Sequence, residues 1–290
     1  MGQMDLPYGK YCGGFNDDLQ PHGEGILTYK TGDQYSGRFV DGKQHGKAIF
    51  KTKTTIFEGT YANGKREEGT EKVLNSEEVF VGTFKDNKRD CGALKFANGD
   101  YFYGEFQNNH MLLGIFKQKA RGESYKGEFN EKGQYHGSGA IVYQNGDEYQ
   151  GEFQDGLKHG DGEYTFKEGG SYSGEYFGDE MHGRGRFLMD DGNEYIGEFH
   201  KGQQHGDGML ITKQGIQVIG KWESGQFKTL TFKGPMKEED IQTKDALEAA
   251  LQLSDKDSSQ GSSEKPLNEE EIALLRQAIK EMEAQMSDDE

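Results

Sequence analysis

One short pattern returns about every 23 residues, and this repetition limits the possible folds more than any other feature of the sequence. The pattern is aromatic, any residue, glycine, any residue, aromatic. Its ten copies, numbered here as repeats 1 to 10, begin at Tyr11, Tyr35, Phe57, Phe80, Phe102, Tyr125, Tyr149, Tyr172, Tyr195 and, more weakly, Val218. A constant period of this length predicts an array in which each unit buries its apolar side chains against its neighbours.

Each copy has the pattern of a β-hairpin. In repeat 7, Tyr149, Gly151 and Phe153 alternate with polar residues. Side chains on a strand alternate between its two faces, so these three lie on one face. The glycine leaves a gap between two rings, which we expect a ring of the next strand to fill. A second strand follows the His-Gly pair, with an apolar residue five positions after the histidine, at Leu27, Phe50, Ile141, Tyr164, Phe187 and Leu210.

The junctions between repeats are rich in glycine. They include Thr31-Gly32-Asp33, Asn98-Gly99-Asp100, Asn145-Gly146-Asp147, Gly169-Gly170 and Asp191-Gly192-Asn193. Such sequences supply the positive φ of tight turns, so consecutive hairpins are expected to pair with one another. The predicted fold class is an all-β repeat array: an elongated, single-layer antiparallel sheet of consecutive hairpins with a short α-helical C-terminal tail. About twenty strands at ~4.8 Å spacing would extend over about 95 Å.

The sequence divides into five predicted segments. Residues 1–10 are a leader, 11–234 the repeat array, 235–254 a helix, 255–267 a flexible linker, and 268–287 an amphipathic helix with an acidic end. The linker is composed mainly of Ser, Asp, Lys and Gly, which favours a flexible chain. Asn268 and Glu271 form a capping-box pattern at the start of the second helix.

Composition and charge exclude several classes of function. Only 32% of residues are hydrophobic, below the usual 45–50%, which disfavours a thick core. The net charge is −17, and residues 237–290 carry −10 of it, so the basic stripe of a nucleic-acid-binding protein is missing. Binding to anionic membranes is disfavoured for the same reason. The two cysteines indicate a reducing compartment, and we expect a cytoplasmic protein without signal peptide or membrane span.

The repeat resembles the MORN repeat (membrane occupation and recognition nexus), whose pattern begins Tyr-x-Gly-Glu-Trp/Phe and continues through Gly-x-Gly. The resemblance covers about 220 of the 290 residues. The best matches are Tyr125-Gly127-Glu128-Phe129, Tyr149-Gly151-Glu152-Phe153, Tyr172-Gly174-Glu175-Tyr176 and Tyr195-Gly197-Glu198-Phe199.

The resemblance implies a non-enzymatic scaffold that holds proteins in a cytoskeletal assembly, with a cilium, radial spoke or cortical cytoskeleton as its location. It also implies that a homodimer is plausible. A phosphoinositide-binding membrane adaptor is the alternative that the family name suggests. Enzymatic activity in this family comes from an appended domain, and the 54-residue tail is too short for one.

The middle repeats depart from the pattern. Where His-Gly is expected, repeats 3 and 4 have Glu68-Gly69 and Cys91-Gly92, and repeat 5 has His110 displaced and only Gly114. Residues 62–120 are therefore predicted to bend or twist differently, or to hold a partner.

Six histidines occupy the same repeat position: His22, His45, His136, His159, His182 and His205. Histidines two strands apart would lie roughly 9–10 Å from each other, too far to share a zinc ion held at ~2.0–2.1 Å. We expect them to stabilise turns by bonding a nearby carbonyl. No metal, cofactor or catalytic residue is predicted, because hydrolase, nucleotide-binding and metalloprotease motifs are missing.

Two groups of residues are candidate binding sites. An aromatic groove on the single-layer sheet would accept a peptide or a helix, including the chain's own tail helix. Its predicted residues are Tyr125, Phe129, Tyr149, Phe153, Tyr172, Tyr176, Tyr195, Phe199 and Trp222. The second group is the apolar side of the tail helices, namely Leu247, Ala250, Leu251, Ser254, Ile272, Leu275, Ile279 and Met282.

The first tail helix carries a sharper motif. Leu247-x-x-Ala250-Leu251-x-x-Ser254 resembles the core of a ubiquitin-interacting motif, although the acidic run that usually precedes it is thin. The resemblance implies a ubiquitin-binding adaptor. The alternative is an amphipathic helix that packs on the array or self-associates.

Overall fold

The computed structural model describes residues 2–235, and all of the regular secondary structure in this range is β-strand. The chain divides into two compact units at Ala120/Arg121, and each unit is a sheet of antiparallel strands. Within each unit a strand pairs only with the strands next to it in sequence. The predicted all-β array of consecutive hairpins is confirmed, while the predicted tail segments lie outside the described residues.

The first unit contains repeats 1 to 5. Its strands are β1 (Gly2–Leu6), β2 (Gly9–Phe15), β3 (Pro21–Tyr29), β4 (Gln34–Val40), β5 (Lys43–Lys51), β6 (Thr55–Ala62), β7 (Lys65–Val73), β8 (Val79–Lys85), β9 (Lys88–Lys95), β10 (Tyr101–Gln107) and β11 (His110–Gln118). Residues 1–10, predicted as a leader, include strand β1, which pairs antiparallel with β2.

The second unit contains repeats 6 to 10. Its strands are β12 (Glu123–Phe129), β13 (Tyr135–Val142), β14 (Glu148–Gln154), β15 (Leu157–Thr165), β16 (Ser171–Phe177), β17 (Glu180–Leu188), β18 (Glu194–His200), β19 (Gln203–Ile211), β20 (Ile216–Glu223) and β21 (Gln226–Pro235).

Two kinds of turn connect the strands. Inside repeat 7 the turn residues Asp155 and Gly156 have φ of 50° and 90°, and two successive positive φ values match the twist of a tight hairpin. Between repeats 6 and 7 the chain turns at Gly146, and the amide of Tyr143 donates to the carbonyl of Asp147 at 2.9 Å. The junctions predicted from glycine content are therefore turns.

The His-Gly pair of each matching repeat forms a β-bulge. In repeat 7 the pairing shifts by two residues after Gly151, so that Glu152 faces His159 and Gly160 has a φ of 56°. A Cβ on Gly160 would lie 2.5 Å from the Glu152 carboxylate. The bulge therefore favours glycine on conformational grounds, because its φ is positive.

Candidate protein-interaction face

The first ring of each repeat lies over the glycines of its own hairpin. In repeat 7, Gly151 pairs with Gly162, and a Cβ on Gly162 would lie 2.6 Å from Cε2 of Tyr149. The same arrangement recurs in repeats 1, 3 to 6, 8 and 9, with Phe57 over Gly59 and Gly69 as an example. The expectation that a ring from the next strand fills the glycine gap is wrong, because the repeat's own first aromatic fills it.

The tyrosine hydroxyl anchors this ring to the backbone. Tyr149 donates to the carbonyl of Glu152 at 3.0 Å, and Tyr195 donates to that of Glu198 at 3.1 Å. Burial raises the pKa of Tyr35 to about 12. Each such hydroxyl bonds the carbonyl three residues ahead, next to the bulge, so it links the ring to the most irregular part of the hairpin.

Edge-to-face contacts join the rings of neighbouring repeats. Tyr149 contacts Phe153 of its own repeat at 5.2 Å and Tyr176 of the next repeat at 5.1 Å between centroids. Such pairs contribute about 0.5–1.5 kcal/mol each beyond their burial. We call this series the ring ladder and the face that carries it the aromatic face.

The predicted groove aromatics are all members of the ring ladder. Tyr125, Tyr172 and Tyr195 are fully buried, and Trp222 is 6% exposed. Their position gives them a packing role within the sheet. Direct contact of these rings with a partner stays a prediction.

In the middle repeats the first ring is a phenylalanine, which has no hydroxyl, and arginine side chains lie over the rings. Arg66 lies over the rings of Phe57 and Phe84 at 5.2 and 4.6 Å. Glu71 bonds Arg66 at 2.5 Å and Arg89 at 3.0 Å, and all three side chains are at most 20% exposed. These repeats keep the antiparallel hairpin, but their pairing shifts by one residue at the bulge instead of by two. Cation–π contacts and shared ion pairs hold their rings where tyrosine hydroxyls do so elsewhere.

A lysine lies among four tyrosines in the second unit. The Lys158 Nζ is 4.8 Å from the ring centroid of Tyr164, 5.4 Å from that of Tyr176 and 5.5 Å from that of Tyr149. The fourth ring, Tyr143, is at 6.0 Å. Burial lowers the pKa of Lys158. The site is an aromatic cage that holds a half-buried cation.

Lys158 belongs to a series of side chains on the aromatic face that differ from repeat to repeat. Each member pairs in register with the second aromatic of its repeat. We call this series the opposing row: Pro21, Gln44, Arg66, Arg89 and Met111 in the first unit, and Tyr135, Lys158, Met181, Gln204 and Phe227 in the second. Pro21 is buried, Phe227 is exposed, and the others are half-buried. Variable chemistry therefore lies beside a constant ladder of rings.

The repeated histidines lie on the opposite face, here called the second face. His136 and His159 each pair with the glutamate of their own repeat. The amide of Asp155 donates to Nδ1 of His136 at 3.4 Å, so this imidazole accepts a bond from an amide rather than donating to a carbonyl. Within residues 2–235, no three His, Cys, Asp or Glu side chains are placed to hold a metal ion.

The second face of the first unit carries a row of lysines. When in-register pairs are followed from each strand to the next, a single line across the strands contains Lys10, Lys51, Lys72, Lys95 and Lys117. We call this line the lysine row. Beside it lies a shallow trough of about 640 Å³ lined by residues that include Cys12, Ile26 and Ile49. The row does not stand out in the sequence because the lysines are about 20 to 40 residues apart in the chain.

The opposing row likewise becomes visible only from the strand register. The signal was present, since each member follows the turn inside its repeat. The bulge made it hard to find, because it changes the distance between this position and the glycines.

Comparison with known families finds a match at the repeats that have tyrosine at the first position. A family model described as MORN repeat matches residues 11–34, 35–53, 125–148, 149–171, 172–194 and 195–215. The chain is a MORN-repeat protein. The six matches are the repeats with tyrosine and His-Gly. The other copies of this MORN-repeat protein, repeats 3, 4, 5 and 10, share the hairpin but begin with phenylalanine or valine.

Similarity to individual proteins is short or distant. The chain is 45% identical over 40 residues to "Inactive protein tyrosine kinase pTKL" of Plasmodium berghei (strain Anka), which is 14% of this chain and 3% of that protein. The protein of the same name from Plasmodium falciparum (isolate 3D7) is 37% identical over 57 residues, 19% of this chain and 4% of that protein. The chain thus matches only a few per cent of the length of these relatives.

Among solved structures, the chain is similar to the TCP10 domain of Danio rerio CPAP in complex with a peptide of Danio rerio STIL. The identity is 11% and the TM-score 0.46, over 78% of this chain and 99% of that chain. The SAS-4 TCP domain of Drosophila melanogaster, in complex with a proline-rich motif of Ana2, is 13% identical with a TM-score of 0.27. That match covers 65% of this chain and 90% of the other.

Proposed function

We propose that the protein is a non-enzymatic scaffold that binds protein partners through its aromatic face. The opposing row carries this proposal. The ring ladder runs through the repeats of each unit, while one side chain per repeat, half-buried in eight of the ten, varies in size, charge and polarity. A partner lying along the face would meet a fixed series of cationic, apolar and amide groups, which is how repeat proteins combine a constant framework with specific recognition.

Substitution along the opposing row tests this proposal. Gln44 and Gln204 occupy the row in repeats 2 and 9, so Lys158→Gln with Met181→Gln places in two repeats a residue that the array already accommodates. Ser173→Gln is the matched control, because Ser173 is exposed on the second face of the same unit.

The probe is a displayed library of random peptides selected on the wild-type chain. Selected peptides should bind the double variant at least tenfold more weakly and the control with unchanged affinity. Equal binding to all three proteins, or equal loss in both variants, would contradict docking on the aromatic face.

The resemblance to MORN proteins supports a cytoskeletal or ciliary location and a homodimer. Imaging of the tagged full chain in ciliated cells tests the location, and uniform cytosolic signal would contradict it. Sedimentation equilibrium tests the homodimer, and a mass of 32.5 kDa at all concentrations would contradict it.

The lysine row supports a second candidate, association with an anionic membrane. Lys10 and Lys51 are exposed, and a basic residue near an anionic surface contributes about 1 kcal/mol. In the part of the chain that the structure describes, no helix is long and apolar enough to span a bilayer. Flotation with phosphoinositide vesicles at physiological salt tests this role. Binding that falls with Lys10→Glu and Lys51→Glu supports it, and no flotation of the wild-type chain contradicts it.

A further inference from the structure

The second face changes character at the end of the second unit. One line of strand pairing there joins Ile196, Met209, Ile219 and Phe232, an apolar run across β18 to β21. The same line in earlier strands carries Gln150, Glu163 and Ser173. A sheet face exposed to solvent favours polar side chains such as these, so the apolar residues of β18 to β21 indicate a face covered by another part of the protein or by a partner.

Burial shows that this patch is covered at its β18 end, while Phe232 on the last strand is 40% exposed. Ile196 is 2% exposed, whereas Ile26 and Ile49, which occupy comparable positions on the second face of the first unit, are 43% and 46% exposed. Ile196 pairs with the long side chains of Arg186 and Met209, whereas Ile26 pairs with Cys12 and Ser36, so part of this difference comes from neighbours within the sheet. Ile211 and Gln217 in the adjacent line are 7% and 1% exposed. Each strand of this unit pairs only with its sequence neighbours, so the sheet itself does not supply the rest of the cover.

The chain leaves the sheet beside this patch. Pro235, the last residue of β21, pairs with Ile216, one position from the buried Gln217. Three further residues span at most about 10 Å, which is enough to bring Glu238 over the same face.

From these observations we infer that residues 238–253 dock as a helix on the second face of β18 to β21. The segment is predicted to be helical, with Ile241, Leu247, Ala250 and Leu251 on one side. Its 16 residues span about 24 Å as a helix, sufficient to cross four strands spaced ~4.8 Å apart. Its apolar side would then cover Ile196 and its neighbours.

This docking regulates the tail. Leu247, Ala250 and Leu251 form the side that resembles a ubiquitin-interacting motif, and in the docked state this side faces the sheet. Ubiquitin, or any other partner of that side, has to displace the segment first. The sheet would act as an intramolecular competitor. This inference concerns a different face from the proposed interaction face and stands without it.

Paramagnetic relaxation in the full-length chain tests the docking. A nitroxide is attached at Ala249→Cys in a chain with Cys12→Ser and Cys91→Ser, since residue 249 lies off the predicted apolar side. The methyl signals of Ile196 and Ile219 should broaden, and those of Ile26 and Ile49 should keep their intensity. Unchanged signals from Ile196 and Ile219 would overturn the inference, and so would broadening at Ile26 and Ile49 alone.

A second measurement uses hydrogen exchange with matched variants. Ile196→Glu places a charge in the covered patch, and Gln150→Glu places the same charge on the exposed part of the same line. Amides of residues 238–253 should exchange at least tenfold faster in the first variant than in the control. Equal exchange in both variants, with the sheet amides still protected, would contradict the docking.

Discussion

The two glycines beneath a tyrosine ring have neighbours that differ in how far they can move. Adding a methyl group to each glycine should therefore lower the free energy of unfolding by unequal amounts. In repeat 7, a Cβ on Gly151 would lie 2.6 Å from the carbonyl oxygen of Asp161 and 2.6 Å from the Cα of Gly162. These are backbone atoms fixed by strand pairing. A Cβ on Gly162 would instead meet the ring of Tyr149, which is a side chain and can shift.

Repeat 2 provides a natural control for this difference. Ala48 replaces the second glycine there, and Tyr35 still donates to the carbonyl of Arg38 at 3.0 Å. Gly162→Ala should therefore cost about 1 kcal/mol, and Gly151→Ala about 3 kcal/mol, at the upper end of the range for overpacking.

Native-state hydrogen exchange of β14 and β15 measures both costs locally, which suits a repeat array whose unfolding need not be two-state. Since about 1.4 kcal/mol corresponds to a tenfold change, protection should fall about 100-fold for Gly151→Ala and about fivefold for Gly162→Ala. Equal losses for the two variants would refute the argument that backbone contacts, rather than the ring, make the first glycine necessary.

Three further predictions concern the ring ladder and the ion pairs. Tyr195→Phe should cost about 1 kcal/mol in urea unfolding, because only the hydroxyl bond is lost; a cost near that of Tyr195→Ala would contradict this. Glu71→Gln should cost about 2 kcal/mol by leaving two half-buried arginines without their shared carboxylate, while Asp86→Asn, at an exposed pair, should leave the midpoint unchanged. Burial raises the pKa of Tyr35 and of Tyr143 to about 12. Unfolded tyrosine ionises near pH 10, so the stability they contribute is complete below about pH 10 and is lost as the pH rises towards 12. Urea midpoints across this range, with phenolate absorbance, check this, and a constant midpoint would contradict it.

The sequence predicted the hairpins and the shared face of Tyr149, Gly151 and Phe153 because period-two alternation and glycine turns are local signals. It did not predict which ring lies over which glycine. Alternation assigns a side chain to a face, but the side-chain rotamer decides whether a ring lies along its own strand or across to the next.

Contacts that depend on strand register could not be predicted from the sequence either. The cage around Lys158 joins rings from three strands and one turn, and the Arg66–Glu71–Arg89 cluster joins β7 and β9. Both arrangements depend on where each bulge shifts the pairing, by two residues in repeat 7 and by one in repeats 3 and 4. The sequence marks the bulge by His-Gly in most repeats, but in the middle repeats the shift occurs without that marker.

Removing one whole repeat tests most directly the claim that each repeat is a complete unit of ring and glycine packing. Deletion of residues 149–171 removes 23 residues and leaves Tyr172 to follow Glu148 in the position that Tyr149 held. The shortened chain should keep the β-sheet circular dichroism per residue and the cooperative unfolding of the full chain. Deletion of residues 149–160, which removes half a repeat, should abolish both. Loss of the sheet in the 23-residue deletion, or equal behaviour of the two deletions, would contradict the account.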